Sequence, residues 1–497
     1  MTIFLGIDVG TQSLKATCFD AVTGRIESSV SEPLELISAS DGTREQEAHW
    51  WVAALKNCLA QIDSTLRSRV AAIGVSGQQH GFVALAADGS VLAPVKLWCD
   101  TVTTAQCDQI MRAFGGVERC ISEVGNAILP GYTAPKILWL KQHHPELYER
   151  LNTILLPHDY INFFLTGQAV MECGDASGTG LLDIRRRCWH AGMLAALDKT
   201  RDLSACLPRL VDVDEFVGSL QPAVASELGL PIGTPVSCGG GDNMMAAIGT
   251  GTVAPGRLSV SLGTSGTLFA YSDKPIVDDG GTLAAFCDST GAWLPLLCTM
   301  NCTVATELTR DVLNVPLDEL ERRVQRVPPG SDGVVTLPFF QGERTPNLPN
   351  GQASVMGLNS DNYSADHLLR SAMEAAIFGL RTGLEIFRQQ GCELSSVRLT
   401  GGGAHSATWR QMVADIFDLP VDVLTHQEGA ALGAALQAYW VYRNSRGDKV
   451  SIAELVDEVI ELEASLCCRP NPETVAVYAH HFQNYLRHVE AVTPLYR

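Results

Sequence analysis

The sequence predicts an α/β protein of two related domains, each a mixed sheet with helices against it, and three observations predict this. An apolar strand, a Gly-Thr turn and a second apolar strand occur twice, in residues 3–20 and 258–269. Each hairpin is followed, further along, by a helical stretch and then by a strand that runs into glycine. Between the two copies, Gly249, Gly251, Pro255 and Gly256 punctuate residues 246–256, where the chain should change domain.

Taken in order, residues 3–20 read as a hairpin in which Gly10 supplies the positive φ for a sharp reversal. A helix from about residue 49 to 66 leads to the strand Ala71-Ala72-Ile73-Gly74-Val75-Ser76-Gly77. Pro235-Val236-Ser237-Cys238-Gly239-Gly240-Gly241-Asp242 reads as strand, glycine turn and helix start. After the second hairpin, a helix from about residue 366 to 390 carries Leu369, Met373, Ala376, Ile377, Leu380, Leu384 and Phe387. Their spacing of three and four marks one buried face. The strand Ser396-Val397-Arg398-Leu399-Thr400 then enters Gly401-Gly402-Gly403. From about residue 451 an acidic helix and Arg469-Pro470-Asn471-Pro472 suggest a helical appendage without chemistry. The expected domains are residues 1–248, 249–445 and the appendage 446–497.

Composition removes whole classes. A chain of 497 residues, 46% hydrophobic and 18% charged, has ample apolar content for two cores and too little charge for a disordered protein. A net charge of −19 with no basic cluster argues against a nucleic-acid partner. No apolar run approaches the roughly 20 residues needed to span a bilayer, so no membrane partner is expected. The N-terminus lacks a basic region and places Asp8 where a signal core would lie, which points to the cytoplasm. The fifteen cysteines show no paired zinc-type spacing and read as reduced core residues. P-loop, dinucleotide and HExxH motifs are absent.

The chemistry-bearing residues suit phosphoryl transfer, which needs donors around phosphate, a carboxylate for Mg²⁺ and an acceptor for the attacking hydroxyl's proton. The two Gly-Thr turns can form anion-binding concavities. Thr11, Ser13, Thr264 and Ser265 add hydroxyls, and Lys15 adds a charge. Either turn alone is an ordinary hairpin; the repetition favours phosphate. Asp8 ends an apolar strand and needs a partner such as Lys15 or a metal-bound water, unless it simply faces solvent. Asp242 falls at a helix N-terminus behind three glycines, where it is either a plain cap or a group that meets substrate. Gln78, Gln79 and His80 at a strand exit suit a polyhydroxylated ligand or a polar loop, and Trp98 with Asp100 could face a sugar.

These stretches, in their order, resemble the FGGY carbohydrate kinases. The matching pieces include Gly6-Ile7-Asp8-Val9-Gly10-Thr11-Gln12-Ser13-Leu14-Lys15 and Gly77-Gln78-Gln79-His80-Gly81. They continue through Gly125-Asn126-Ala127-Ile128-Leu129-Pro130-Gly131-Tyr132-Thr133-Ala134-Pro135-Lys136, Gly239-Gly240-Gly241-Asp242-Asn243, Ser261-Leu262-Gly263-Thr264-Ser265-Gly266, Gly342-Glu343-Arg344-Thr345-Pro346 and Gly401-Gly402-Gly403-Ala404. The resemblance implies two actin-like, ribonuclease-H-type α/β domains with a cleft between them. It implies ATP and Mg²⁺ as cofactors, with Thr11, Gln12, Ser13, Lys15, Gly263 and Thr264 toward the phosphates and Gly402 and Gly403 toward adenosine. Asp242 is then the catalytic base, Asp8 the metal carboxylate, and Gln79, His80 and Trp98 sugar contacts. His80-Gly81 favours a ketopentose, D-xylulose, as the small-molecule substrate; ribulose, an alditol or glycerol are alternatives, as is a sugar-independent ATPase. A homodimer is compatible with the resemblance. Val102 stands where the family often has arginine, which leaves that loop's role and the sugar open.

Overall fold

The computed structural model describes residues 2–426 and 429–496. By packing, the chain divides into two units. The first comprises Met1–Val253, Ser272–Pro295 and Glu428–Val459; the second comprises Ala254–Tyr271, Leu296–Gln427 and Ile460–Arg497.

The first unit is built on strands β1 (Ile3–Val9), β2 (Ser13–Asp20), β3 (Arg25–Pro33), β4 (Val70–Gly77), β5 (Phe216–Ser219), β6 (Pro235–Ser237) and β7 (Gly240–Gly241). Their order is β5-β6-β4-β1-β2-β3, with β7 also paired to β4. The β1–β2–β3 meander is antiparallel, whereas β4 runs parallel to β1. Helix Ala48–Gln61 covers one face with Trp51, Leu55, Cys58 and Leu59. Removing each of the two leucines from water contributes roughly 1.5–3 kcal/mol. The predicted helix to residue 66 ends earlier because Asp63 caps a new turn, accepting from Thr65 N at 2.7 Å.

Helix Ala430–Ser445 covers the opposite face at unusually short range. Gly6 and Gly74 are cross-strand partners. A Cβ on Gly6 would lie 1.8 Å from Ala431 O, and one on Gly74 would lie 2.0 Å from Ala434 O. The two bare backbones form a groove in which the small face of this helix rests. Helix Asp242–Thr250 packs on it in the same way, since a Cβ on Gly433 would meet Met245 O at 1.7 Å.

The second unit repeats the plan. Strands β8 (Gly256–Leu262), β9 (Gly266–Ala270) and β10 (Leu296–Thr299) form an antiparallel meander, and β11 (Leu394–Thr400) and β12 (Val421–Val423) continue the sheet in parallel. The order β10-β9-β8-β11-β12 matches β3-β2-β1-β4-β6. Helix Ala365–Gln389 lies within one residue of its predicted ends and buries the predicted face from Leu369 to Phe387. The last helix, Pro472–Val492, stacks Tyr478, Phe482 and Tyr485 around Phe378. Tyr478 also joins Arg370 and Glu374 in a buried hydrogen-bonded triad. Among the described residues no helix is long and apolar enough to cross a membrane. Cys18, Cys58, Cys107, Cys120, Cys206, Cys238, Cys287 and Cys302 are buried, as small core residues are, whereas Cys188 is exposed.

Candidate active site

In the first unit, the ends of β1, β4 and β7 bring polar groups to one edge of the sheet. Asp8 lies at the end of β1, with Lys15 and Ser76 as its neighbours across β2 and β4. Ser76 Oγ donates to Asp8 Oδ1 at 2.7 Å. The paired strand β7 ends at Gly241, and helix Asp242–Thr250 begins immediately, so Asp242 occupies its first turn. Gly241 must lack a Cβ because one would sit 2.8 Å from Gln79 Cγ. Asn243 donates to Asp242 Oδ1 from its main chain at 2.8 Å and from its amide at 3.0 Å. The same amide donates to Gln79 Oε1 at 3.0 Å. The structure thereby joins Gln79 and Asp242 through a residue to which sequence reading gave no role.

Burial and neighbouring charge act strongly on Asp242. Desolvation, then the charges of Asp8 and Asp175, push its carboxyl up to about 8, against the pull of the Asn243 hydrogen bonds. Asp175 belongs to a fully buried cluster in which His158 lies 2.6 Å from Asp175 and 3.0 Å from Asp159. Burial also raises Asp175, while His158 and Gln79 draw it down. For His158, burial lowers proton affinity, but the adjoining carboxylates outweigh it and the net value rises to about 9. The sequence signal for these groups was a histidine and an aspartate inside otherwise apolar stretches, visible only once both are known to be buried.

The β1–β2 turn holds Thr11, Gln12 and Ser13, with Gln12 exposed. Gly10 does not occupy the positive-φ region expected of it. Its own reason is proximity, because a Cβ there would stand 3.1 Å from Ser13 O, which accepts from Gly10 N at 3.0 Å. Thr11 Oγ1 donates to Gln78 and accepts from Trp98 Nε1, both at 2.9 Å, so Trp98, 38% exposed, stands beside this turn. His80 follows Gln79 with φ of +68°. Its ring lies 4.9 Å from that of Tyr132 and 5.9 Å from that of Phe286. Asp100 instead turns inward, accepting from Lys96 Nζ, Arg44 N and Val102 N. Its two oxygens are taken by these donors, so of the Trp98–Asp100 pair it is Trp98 that stays partly exposed.

In the second unit, the β8–β9 turn is one residue shorter than its counterpart, Leu262 pairing directly with Gly266. Gly263 O accepts from Thr303 N and Oγ1, while Thr264 and Ser265 are exposed. After β11, Gly401 and Gly403 press on Leu262, whereas a Cβ on Gly402 would meet nothing within 4 Å. Gly402 therefore faces open space, while Gly403 is placed by packing. Glu343 caps the loop after β10, accepting from Met300 N, Asn301 and Arg344 N.

Two family models cover this chain. The N-terminal domain of the FGGY family of carbohydrate kinases matches residues 3–249, and the C-terminal domain matches residues 258–442. The chain belongs to the FGGY family of carbohydrate kinases. A relative named xylulose kinase from Haemophilus influenzae is 40% identical over 494 residues, covering 98% of this chain and 99% of the relative. A xyloylose kinase from Brucella ovis superposes with a TM-score of 0.91 at 28% identity, covering 99% of this chain and all of that one. A gluconate kinase from Lactobacillus acidophilus also reaches 0.91, at 23% identity, covering all of this chain and 99% of that one. The mixed α/β units are thus those of the actin-like fold, and the fold alone does not select the sugar.

As an FGGY carbohydrate kinase the protein uses ATP and a sugar. Among the described residues no cluster of three or more metal-binding side chains is arranged to hold an ion. Mg²⁺ keeps most of its water and needs only one or two carboxylates. Asp8, bonded to Ser76 through one oxygen and partly open to solvent, fits that demand.

Proposed function

We propose that the enzyme transfers the γ-phosphoryl group of ATP to a terminal hydroxyl of D-xylulose, giving xylulose 5-phosphate and ADP. The observation that carries this reading is the Gln79–Asn243–Asp242 constellation: a carboxylate of raised proton affinity beside two side-chain amides. Amides donate and accept, as sugar hydroxyls do, so a polyol can satisfy both at once. The relative named xylulose kinase, matched over nearly its whole length, supports xylulose over other ketoses.

In the reaction, Asp242 orients the attacking hydroxyl and takes its proton as the new O–P bond forms. The bond from the γ-phosphorus to the bridging oxygen breaks, and ADP leaves with that electron pair. A base is most useful when its pKa lies near the working pH, and burial has moved Asp242 there. With a loose transition state, positioning and preorganised charge contribute most of the acceleration. Gln79, His80 and Trp98 hold the sugar. Thr11, Gln12, Ser13 and Lys15, together with Gly263 and Thr264, serve the phosphates, and Gly402-Gly403 serves adenosine. Asp8 would hold Mg²⁺, and the bound ion would neutralise phosphate charge.

A second reading keeps the chemistry and changes the acceptor, since the same fold carries a gluconate kinase. ADP release measured over D-xylulose, D-ribulose, alditols, gluconate and glycerol separates the two. D-Xylulose should give the highest kcat/KM. A better acceptor would reassign the substrate, and ADP release indifferent to every sugar would sink phosphoryl transfer to a sugar.

A further inference from the structure

The loop that carries His80 is gripped from behind by a side chain with no part in the proposed reaction. Lys136, in helix Thr133–His143, is fully buried. Its Nζ donates to two main-chain carbonyls, His80 O at 2.8 Å and Gly131 O at 2.7 Å. Thr133 Oγ1 donates to the same His80 carbonyl at 3.1 Å. Burying an amine is costly, and an apolar side chain would fill this position without that cost. Desolvation, partly offset by Asp100, lowers the lysine to about 7. Neutral or charged, the amine keeps at least two N–H donors, so both bonds survive its titration.

The residues it joins carry or support the His80 and Trp98 rings. His80 is a non-glycine in the left-handed region, a conformation that persists only when its surroundings impose it. Its ring fills the space left by Gly178, where a Cβ would lie 2.1 Å from His80 Nδ1. Gly131 presses on the Trp98 backbone in turn, since a Cβ there would lie 2.5 Å from Trp98 O. One buried amine therefore ties the main chain of His80 to the turn against which Trp98 rests.

We propose that Lys136 is a positioning residue for sugar recognition: by clamping the His80 and Gly131 carbonyls together it sets where the His80 imidazole and the Trp98 indole stand. The clamp rests on the reading that these two rings face the sugar.

The test combines Lys136→Met, which keeps length and removes the donors, with Lys136→Gln, which keeps an N–H donor, and with His80→Ala. Lys136→Met should raise KM for D-xylulose by about tenfold or more, the scale of one lost buried hydrogen bond, and leave KM for ATP within about twofold. Lys136→Gln should recover part of the loss. In the His80→Ala background, Lys136→Met should add clearly less than it does alone, because the part of its effect that passes through the His80 ring is already lost and only the part through Trp98 remains. An unchanged sugar KM, an equal rise in both KM values, or full additivity with His80→Ala would overturn the proposal. If Lys136→Met does not fold, Lys136→Gln and its double variant carry the same comparison. If the wild-type enzyme ignores D-xylulose, the substrate assignment fails on its own, and the clamp is read with the sugar that the acceptor panel selects.

Discussion

Asp242 carries a cost in the fold that the proposed role as general base would explain. Its folded value of about 8 lies far above the ordinary 3.8, so the folded state holds its proton more tightly than the unfolded chain does. The stabilising difference is complete below about pH 4 and is lost as pH climbs toward 8, where the fold must carry an unwelcome charge. Asp242→Asn removes that liability. Its Tm should match the wild type near pH 4 and exceed it near pH 8, while kcat falls by roughly 10²–10⁴-fold, the usual worth of a general base. A variant that loses stability at pH 8, or retains near wild-type turnover, contradicts the assignment. The ionised form is the base, so kcat/KM of the wild type should rise with pH through about 8 and then level off. At this scale the sequence made Asp8, Asp242 and Gln79 visible because a charge or amide at the end of an apolar strand is conspicuous. Asp175, His158 and Lys136 were hidden because their meaning comes from burial. The reason for Gly10 was misread because a glycine's sequence context does not separate positive φ from close approach.

Elements show the same division between what spacing reveals and what only packing reveals. The repeated hairpin, helix and strand were legible because each half satisfies its own period, two for the strands and near 3.6 for helix Ala365–Gln389. Helix Ala430–Ser445 was not, since Gly433, Ala434 and Ala435 give a helix with no marked apolar stripe and no hint of its partner. Its partner is the glycine pair Gly6 and Gly74, and complementarity between two smooth surfaces leaves no periodic trace in either. Gly74→Ala should therefore destabilise the first unit by about 1–3 kcal/mol, the cost of overpacking a filled interior, because the new Cβ meets a main-chain oxygen that no rotamer change can move. Thermal unfolding read against the wild type checks this, and an unchanged Tm would mean the groove is looser than the distances indicate.

For the whole molecule, the order of the chain and the order of the packing differ. The first unit takes most of residues 1–253 but also Ser272–Pro295 and Glu428–Val459, so the chain leaves it and returns twice. The returning pieces are not decoration. Ser272–Pro295 brings Ala285, whose main chain exchanges hydrogen bonds with the Asn126 amide at 2.8 Å in both directions. It also brings Phe286 against the His80 ring. Glu428–Val459 brings the helix that fills the Gly6 and Gly74 groove and, through Gln437, hydrogen bonds to Ser237 and Gly239 just before Asp242. A fragment ending at Val253 would expose that groove as bare backbone and apolar sheet, with unpaired polar groups at Asn126 and Gly239. Expressed alone, it should aggregate or lack a cooperative thermal transition. Co-expression with a fragment spanning residues 254–497 should restore solubility, because that piece supplies both missing segments. A soluble residue 1–253 fragment that melts sharply by itself would show that the first unit's stability does not depend on the returning helix.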